Sequence, residues 1–169
     1  MSDQQLVEKI VAFIRSIGLE ADFESVSEDT FLPGILIRDG IIVIDQKRLK
    51  YPGDLLHEAG HLAVIPESRR GETGAYVGVN PGEEMAAIAW SWAALKHLNF
   101  PPEVVFHPDG YKGSSESIIE NFSQQRYFGI PVLQWLGMCK DPYKGYDCED
   151  SKPMVFPQMM KWLADELPV

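Results

Sequence analysis

The segment from Leu55 to Val64 reads LLHEAGHLAV and carries two histidines four positions apart, with a glutamate directly after the first. On an α-helix, residues four apart lie one turn above each other, so His57 and His61 can converge on one metal ion. Glu58 lies about 100° around the helix from His57, where its carboxylate can reach a water molecule held on that metal. This pattern predicts two zinc ligands and one general base. The alternative is that both histidines are ordinary helix residues bonded to their neighbours.

A third metal ligand must come from elsewhere in the chain, because catalytic zinc usually has three protein ligands and an open position for water. The helix-forming segment that starts at Glu83 offers two carboxylates in its first turn. Helical phase favours Glu84, which projects close to the edge of the predicted buried stripe, and Glu83 is the fallback because it points away. That stripe consists of Met85, Ile88, Trp92 and Leu95. Both acids also suit a helix N-terminus, whose dipole favours negative charge.

The order of these segments resembles the gluzincin branch of the zincin metallopeptidases: strand-like runs, an HExxH helix, a short loop and a helix that opens with a glutamate. More narrowly, residues Ile35 to Leu98 resemble the compact ImmA/IrrE-type domain, also called the minigluzincin. The active-site helix of that family reads HE-x-G-H, which residues 57–61 match. Its second helix reads E-x-x-A-N-x-F-A. Aligned on Glu84, Ala87 fits the family pattern, whereas asparagine, phenylalanine and the last alanine are replaced by Ile88, Trp90 and Ser91.

The resemblance implies a small α+β, zincin-like domain with an N-terminal helix, a short and mostly antiparallel sheet, the HExxH helix and a second helix carrying the glutamate ligand. It implies a zinc metallopeptidase that hydrolyses a peptide or amide bond by a metal-activated water, with Glu58 as general base. Substrate would then pair with an edge strand, for which residues 41–44 are the candidate. The alternatives are a non-catalytic, metal-stabilised binding or regulatory domain of the same fold and an interaction module without metal.

A group that stabilises the oxyanion or contacts the substrate would complete such a site. The side chains that could serve are Tyr76, His107, Tyr111 and Tyr127. Their sequence positions do not rank them firmly. Surface positions are expected for His107, in a loop, and for His97, nearly opposite Glu84 on the second helix. The four tryptophans are expected in the core.

Composition and charge narrow the class of protein. The chain has 169 residues, of which 45% are hydrophobic, and is long enough to bury a core as one domain, residues 1–169, without disulfides. A net charge of −10 without any long basic cluster argues against nucleic acid as a partner. The start of the chain lacks the pattern of a signal peptide, and no apolar run reaches membrane-spanning length. We therefore expect a cytoplasmic protein with a protein or peptide substrate, and free thiols at Cys139 and Cys148.

The remaining patterns predict the elements that position the site. Apolar residues at helical spacing predict a first helix from Leu6 to Ile17 that ends at Gly18. Asp39-Gly40 between two β-branched runs predicts a hairpin. The HExxH helix is expected to start near Asp54, capped by it or a close neighbour, and to end at Pro66.

The segment Glu67 to Gly82 is expected to be a surface loop with a short strand at 75–77. A loop from Asn99 to Gly113 and helices at Ser114 to Phe128, Pro131 to Met138 and Pro157 to Leu167 complete the prediction.

Overall fold

The computed structural model describes residues 1–27, 29–74, 80–144 and 154–166. Within these ranges the chain has an α+β fold with six helices and a three-stranded mixed sheet, which confirms the predicted class. The elements are α1 (Asp3–Ser16), β1 (Glu20–Phe23), β2 (Ile35–Arg38), β3 (Ile41–Ile44), α2 (Asp54–Val64), α3 (Glu67–Arg70), α4 (Pro81–His97), α5 (Ser115–Ser123) and α6 (Ile130–Trp135). Short 3₁₀ turns cover Pro102–Val104 and Tyr111–Gly113.

The first helix forms where its pattern predicts it. The Ser2 hydroxyl accepts a hydrogen bond from the Gln5 backbone N–H, and the Gln5 side chain accepts one from the Ser2 backbone N–H. This capping box satisfies donors that the start of a helix otherwise leaves without partners. The apolar stripe of α1 is buried against β1 and α2, and the chain turns at Gly18 with a φ of +98°.

The predicted hairpin is confirmed, but the sheet is mixed rather than mostly antiparallel. Asp39 and Gly40 connect β2 to β3 with φ values of 51° and 75°, the left-handed conformation that a tight hairpin turn requires. β3 pairs antiparallel with β2 and parallel with β1, so it is the central strand. The prediction that residues 41–44 form an edge strand is therefore wrong. β1 was not predicted because its one buried residue is Ala21 and it has no β-branched residue.

The HExxH segment forms α2 as predicted, and every residue of this helix except His57 is buried. Its N-terminus lies where it was predicted, with Asp54 as the first helical residue and the neighbouring Gly53 in the cap position, without a side-chain capping bond. A side chain at position 53 has no room, since an added Cβ would lie 1.7 Å from the carbonyl oxygen of Val104. The Asp54 carboxylate bonds to His107 instead of capping the helix.

The second helix of the motif, α4, begins at Pro81 rather than at Glu83. Asn80 caps it through a 2.8 Å hydrogen bond from the Gly82 N–H to the Asn80 side-chain oxygen. The predicted buried stripe is wrong at Met85, which is 42% exposed, while all residues from Ala86 to Leu95 are buried. α4 packs against both α2 and α6, and a helix covered on several sides has no single apolar stripe.

The predicted C-terminal helix is wrong, because no helix occurs within residues 154–166. Although the Gln158 N–H donates to the Val155 carbonyl within this segment, other backbone groups of the segment bond to neighbouring elements. The Ala164 N–H donates to the Ala63 carbonyl at 2.8 Å, and the Trp162 carbonyl accepts from the Trp90 indole at 2.9 Å. Partners outside the segment thus replace the hydrogen bonds that a helix would supply.

The predicted surface loop after α2 contains the one-turn helix α3, and the strand predicted at 75–77 lies outside the described residues. α5 forms within its predicted segment but is shorter, whereas α6 begins one residue before its predicted segment and ends three residues before the predicted end. Trp90 and Trp92 are buried as expected, whereas Trp135 is 56% exposed. Cys139 is a buried free thiol, and Cys148 is outside the described ranges. No helix in the described ranges has both the length and the apolar character needed to cross a bilayer.

Candidate metal centre

The two imidazoles of the HExxH helix converge as the four-residue spacing predicts. The Nε2 atoms of His57 and His61 lie 3.0 Å apart, and the rings meet nearly edge to face. His61 is buried, and the side chain of His57 retains only 13% exposure. Both ring nitrogens therefore face one small volume beside α2, where a single ion could contact both.

Glu84 brings a carboxylate to the same volume. Its Oε2 atom lies 3.1 Å from Nε2 of His61, and its Oε1 atom lies 3.6 Å from Nε2 of His57. The close packing of α2 on α4 permits this approach, since Gly60 leaves the space that the Ala87 backbone fills. Glu83 makes no ion pair or side-chain hydrogen bond to the described residues.

The donor set and its spacing fit a zinc ion. Ligand bonds of about 2.0–2.1 Å in a tetrahedron place neighbouring ligand atoms roughly 3.3 Å apart, close to the three separations between His57, His61 and Glu84. Glu58 also has an atom within 4.8 Å of the imidazole nitrogens, so a second carboxylate faces the pair. In zinc proteins the other ring nitrogen usually donates a hydrogen bond. Here both Nδ1 atoms are buried without a partner among the described residues.

Burial controls the charge of these groups. It lowers the pKa of His57 to about 3, with the neighbouring His61 acting in the same direction and Glu84 against it. The imidazole is therefore neutral near pH 7, as a metal ligand must be. Burial raises the pKa of Glu58 to about 7, helped by the carboxylates of Asp54 and Glu84 and opposed by His61.

Glu84 has the opposite shift. Burial by itself raises the pKa of this carboxyl, but the hydrogen bond to His61 and the electrostatic effect of the nearby His57, His61 and Lys112 side chains outweigh burial and lower it. With 38% of its side chain exposed, Glu84 forms the solvent side of the cluster. It is therefore an ionised carboxylate at the edge of an otherwise buried site.

Of the three oxyanion candidates within the described residues, Tyr111 is the one whose ring contacts an imidazole of the HExxH helix. Its ring centroid lies 5.2 Å from that of His57, and its hydroxyl is buried without a hydrogen-bond partner among the described residues. Burial, with the nearby acids, raises the pKa of Tyr111 well above its ordinary value, so the hydroxyl keeps its proton. Tyr127 packs instead against Phe122, Phe156 and Tyr143. Tyr76 lies outside the described residues.

His107 is buried, so the expected surface position is wrong. Its Nε2 atom lies 2.9 Å from Oδ1 of Asp54, and its ring stacks on Tyr51 with centroids 3.7 Å apart. The loop that carries it folds under the N-terminus of α2, which sequence distance conceals. His97 is exposed, as expected.

Asp54 is a site residue that the sequence prediction missed. Together with His57, Glu58 and His61 it forms an i, i+3, i+4, i+7 series, which places four polar residues on one face of an otherwise apolar helix. Burial raises the pKa of Asp54, and the hydrogen bond and charge of His107 act against that rise. The spacing of Asp54 was the signal that could have revealed it.

Comparison of the chain with protein-family models, curated proteins and solved structures gives no match. Two imidazoles and one ionised carboxylate can hold a divalent ion, a second carboxylate can exchange a proton near pH 7, and a phenol can donate a hydrogen bond beside them.

Proposed function

We propose that the protein is a zinc-dependent metallopeptidase of the zincin type, acting on protein or peptide substrates. One observation carries the proposal: the Glu84 carboxylate, from a separate helix, lies 3.1 Å and 3.6 Å from the imidazole nitrogens of the HExxH motif. Three ligands and an adjacent carboxylate base are the components that such hydrolysis requires. The acidic net charge of −10 supports a partner other than nucleic acid, and the proposal places the protein in the cytoplasm.

In this proposal His57, His61 and Glu84 would hold the zinc ion. When bound, zinc lowers the pKa of a coordinated water and polarises the scissile carbonyl. Glu58 accepts the proton of the attacking water and passes it to the leaving nitrogen, as a general base that becomes a general acid. A pKa of about 7 suits a group that must both take and return a proton near neutral pH.

Tyr111 would assist by donating its hydroxyl hydrogen to the carbonyl oxygen as negative charge develops there. Its raised pKa and its buried position without another partner leave this hydrogen bond available. A donor aimed at developing charge contributes most where water is excluded. Tyr111 is thus the oxyanion group of the proposed mechanism.

The proposal is tested by substituting Glu58 with Gln and comparing zinc content and hydrolysis of a quenched fluorescent peptide library. We expect bound zinc to remain stoichiometric while hydrolysis falls roughly 10²- to 10⁴-fold, because only the proton acceptor is lost. Glu83→Gln is the matched control, since it neutralises a carboxylate that makes no described contact with the imidazoles, and it should leave both readouts unchanged.

Two results would overturn the proposal. Wild-type protein that holds stoichiometric zinc and cleaves nothing in the library would identify a metal-stabilised binding domain instead. Protein that takes up no zinc after reconstitution would exclude the metal centre altogether.

A further inference from the structure

The turn that carries Tyr111 has an unfavourable backbone conformation. Tyr111, Lys112 and Gly113 have φ values of 53°, 52° and 81°, so three successive residues, two of them not glycine, are left-handed. Side chains disfavour this region, and such conformations persist only where the surrounding structure enforces them. Something outside the turn therefore holds it.

The holding contacts are at the two ends of the turn. On the N-terminal side His107 is fixed by its 2.9 Å bond to Asp54 and by the stacked ring of Tyr51. On the C-terminal side the Ser115 hydroxyl donates to the His107 carbonyl at 2.6 Å and lies 3.3 Å from the Gly110 carbonyl. These contacts anchor the segment 107–115 to the first residue of α2.

The anchored turn delivers one side chain to the metal centre. The Tyr111 ring packs between His57 and Phe106, with centroid distances of 5.2 Å and 5.1 Å. Its hydroxyl is buried without a partner among the described residues, which is unfavourable for folding. A strained turn that buries an unpaired hydroxyl of a ring packed on the His57 imidazole serves the site rather than stability.

We propose that Asp54 and His107 are positioning residues that hold the turn so that the Tyr111 hydroxyl faces the substrate carbonyl. The proposal rests on the proposed peptidase function. Asp54 can connect α2 to the segment 107–115. It lies on the same face of α2 as His57 and Glu58, and its carboxylate bonds to His107 in that segment. The buried pair therefore couples the HExxH helix to the oxyanion donor.

A double-mutant cycle tests this coupling with the peptide library as probe. Tyr111→Phe should lower kcat roughly 100-fold, the effect of losing one oxyanion donor. Asp54→Ala should lower kcat by a similar factor with little change in KM, because a misplaced donor stabilises the transition state poorly. The double variant should be no worse than Tyr111→Phe, since Asp54 acts through Tyr111. Asp54→Asn, which can still accept the bond from His107, should stay within a few-fold of wild type.

A second readout does not need hydrolysis. In protein labelled with fluorotyrosine, the resonance absent from Tyr111→Phe belongs to residue 111. Asp54→Ala should move that resonance towards the position of an exposed tyrosine, whereas Asp54→Asn should leave it in place. Asp3→Ala is the matched control, because Asp3 is the first residue of α1 and is exposed. If Asp54→Ala does not fold, His107→Phe breaks the same pair while keeping an aromatic ring against Tyr51.

Additive losses in the cycle, or an unmoved resonance in Asp54→Ala, would overturn the positioning role. An inactive wild type would overturn the proposed peptidase function, and the fluorine resonance would then decide the positioning role alone. The failures of the two proposals are therefore distinguishable.

Discussion

Burial favours the neutral form of both His57 and Glu58, although one is a base and the other an acid. For His57 this gives a free nitrogen lone pair at neutral pH, which suits a metal ligand. For Glu58 it means that ionisation near pH 7 places an unfavourable charge inside the metal-free protein. Glu58, whose pKa suits proton transfer, should therefore lower the free energy of unfolding of the metal-free protein near and above pH 7.

We predict that Glu58→Gln is more stable than wild type in metal-free protein at high pH. The folded-state pKa of about 7 exceeds the ordinary value of 4.5, so the carboxyl favours folding fully below pH 4.5 and loses that contribution as pH rises through 7. Glutamine stays neutral, so the variant should gain roughly 3 kcal/mol at pH 8 and little at pH 4. Urea unfolding in the presence of a chelator measures the difference.

Both histidines are retained in Glu58→Gln, so the two proteins differ only in the carboxyl group of residue 58. Glu83→Gln provides the control, because its carboxylate is partly exposed in the first turn of α4. An equal gain in Glu83→Gln, or a gain in Glu58→Gln that does not grow with pH, would contradict the burial of Glu58 as the cause.

The choice between the two acids of α4 gives a second prediction at the residue scale. Glu84→Ala removes the carboxylate that contacts both imidazoles, whereas Glu83→Ala removes one that contacts neither among the described residues. Removing a residue that only hydrogen-bonds to a metal ligand weakens metal binding by about 10- to 100-fold. Removing the ligand Glu84 itself should therefore lower zinc affinity by at least about 100-fold. Competition with a chromophoric chelator measures the zinc affinity of each variant. Equal affinities for the two variants would contradict the assignment of Glu84 as the ligand.

At the scale of elements, the site depends on how closely α2 approaches α4. Gly60 lies between the two histidines on α2, and a Cβ added there would meet the Ala87 carbonyl oxygen at 2.9 Å. Ser91 completes this contact by donating to the Ala87 carbonyl at 2.7 Å and lying 3.4 Å from the Leu56 carbonyl. The interface thus fixes the distance between the imidazoles and Glu84.

We predict that Gly60→Ala destabilises the fold and weakens zinc binding together. The new methyl group presses on backbone, so the helices must separate, at a cost of about 1–3 kcal/mol. Gly71→Ala is the matched control, because a Cβ there meets nothing within 4 Å and the φ of −66° is ordinary. Denaturant unfolding and chelator competition measure the two effects, and wild-type zinc affinity in Gly60→Ala would show that helix spacing does not set the site.

The sequence predicted the elements whose conformation depends on residues close together in the chain. Asp39-Gly40 identified the hairpin, and the series His57, Glu58, His61 identified the helix and its polar face. The errors arose where contacts between residues far apart in the sequence determine the structure. β1 pairs with β3 despite weak strand propensity, and His107 is buried because its loop folds under Asp54. Met85 is exposed because α4 has neighbours on several sides, which a single helical phase cannot represent.

At the scale of the whole molecule, the C-terminal segment closes the fold over the end of the HExxH helix. Arg70, at the end of α3, is the centre of this closure. Its guanidinium donates to the carbonyls of Leu62 and Ile65 at the end of α2 and to that of Ala164, each at 3.0 Å. One side chain thereby bonds to carbonyls at the end of α2, of which that of Leu62 also accepts from the Ile65 N–H, and ties a distant part of the chain to them.

We predict that Arg70→Ala lowers the free energy of unfolding by roughly 2–4 kcal/mol, because three hydrogen bonds from a charged donor are lost. Arg70→Lys should not restore stability, since an ammonium group lacks the planar fork that reaches several acceptors. Arg69→Ala is the control, because Arg69 is adjacent to Arg70, is exposed and forms no side-chain hydrogen bond to the described residues. Urea unfolding gives the three values. Full stability in Arg70→Lys would mean that charge alone, and not the guanidinium geometry, holds the C-terminal segment against α2.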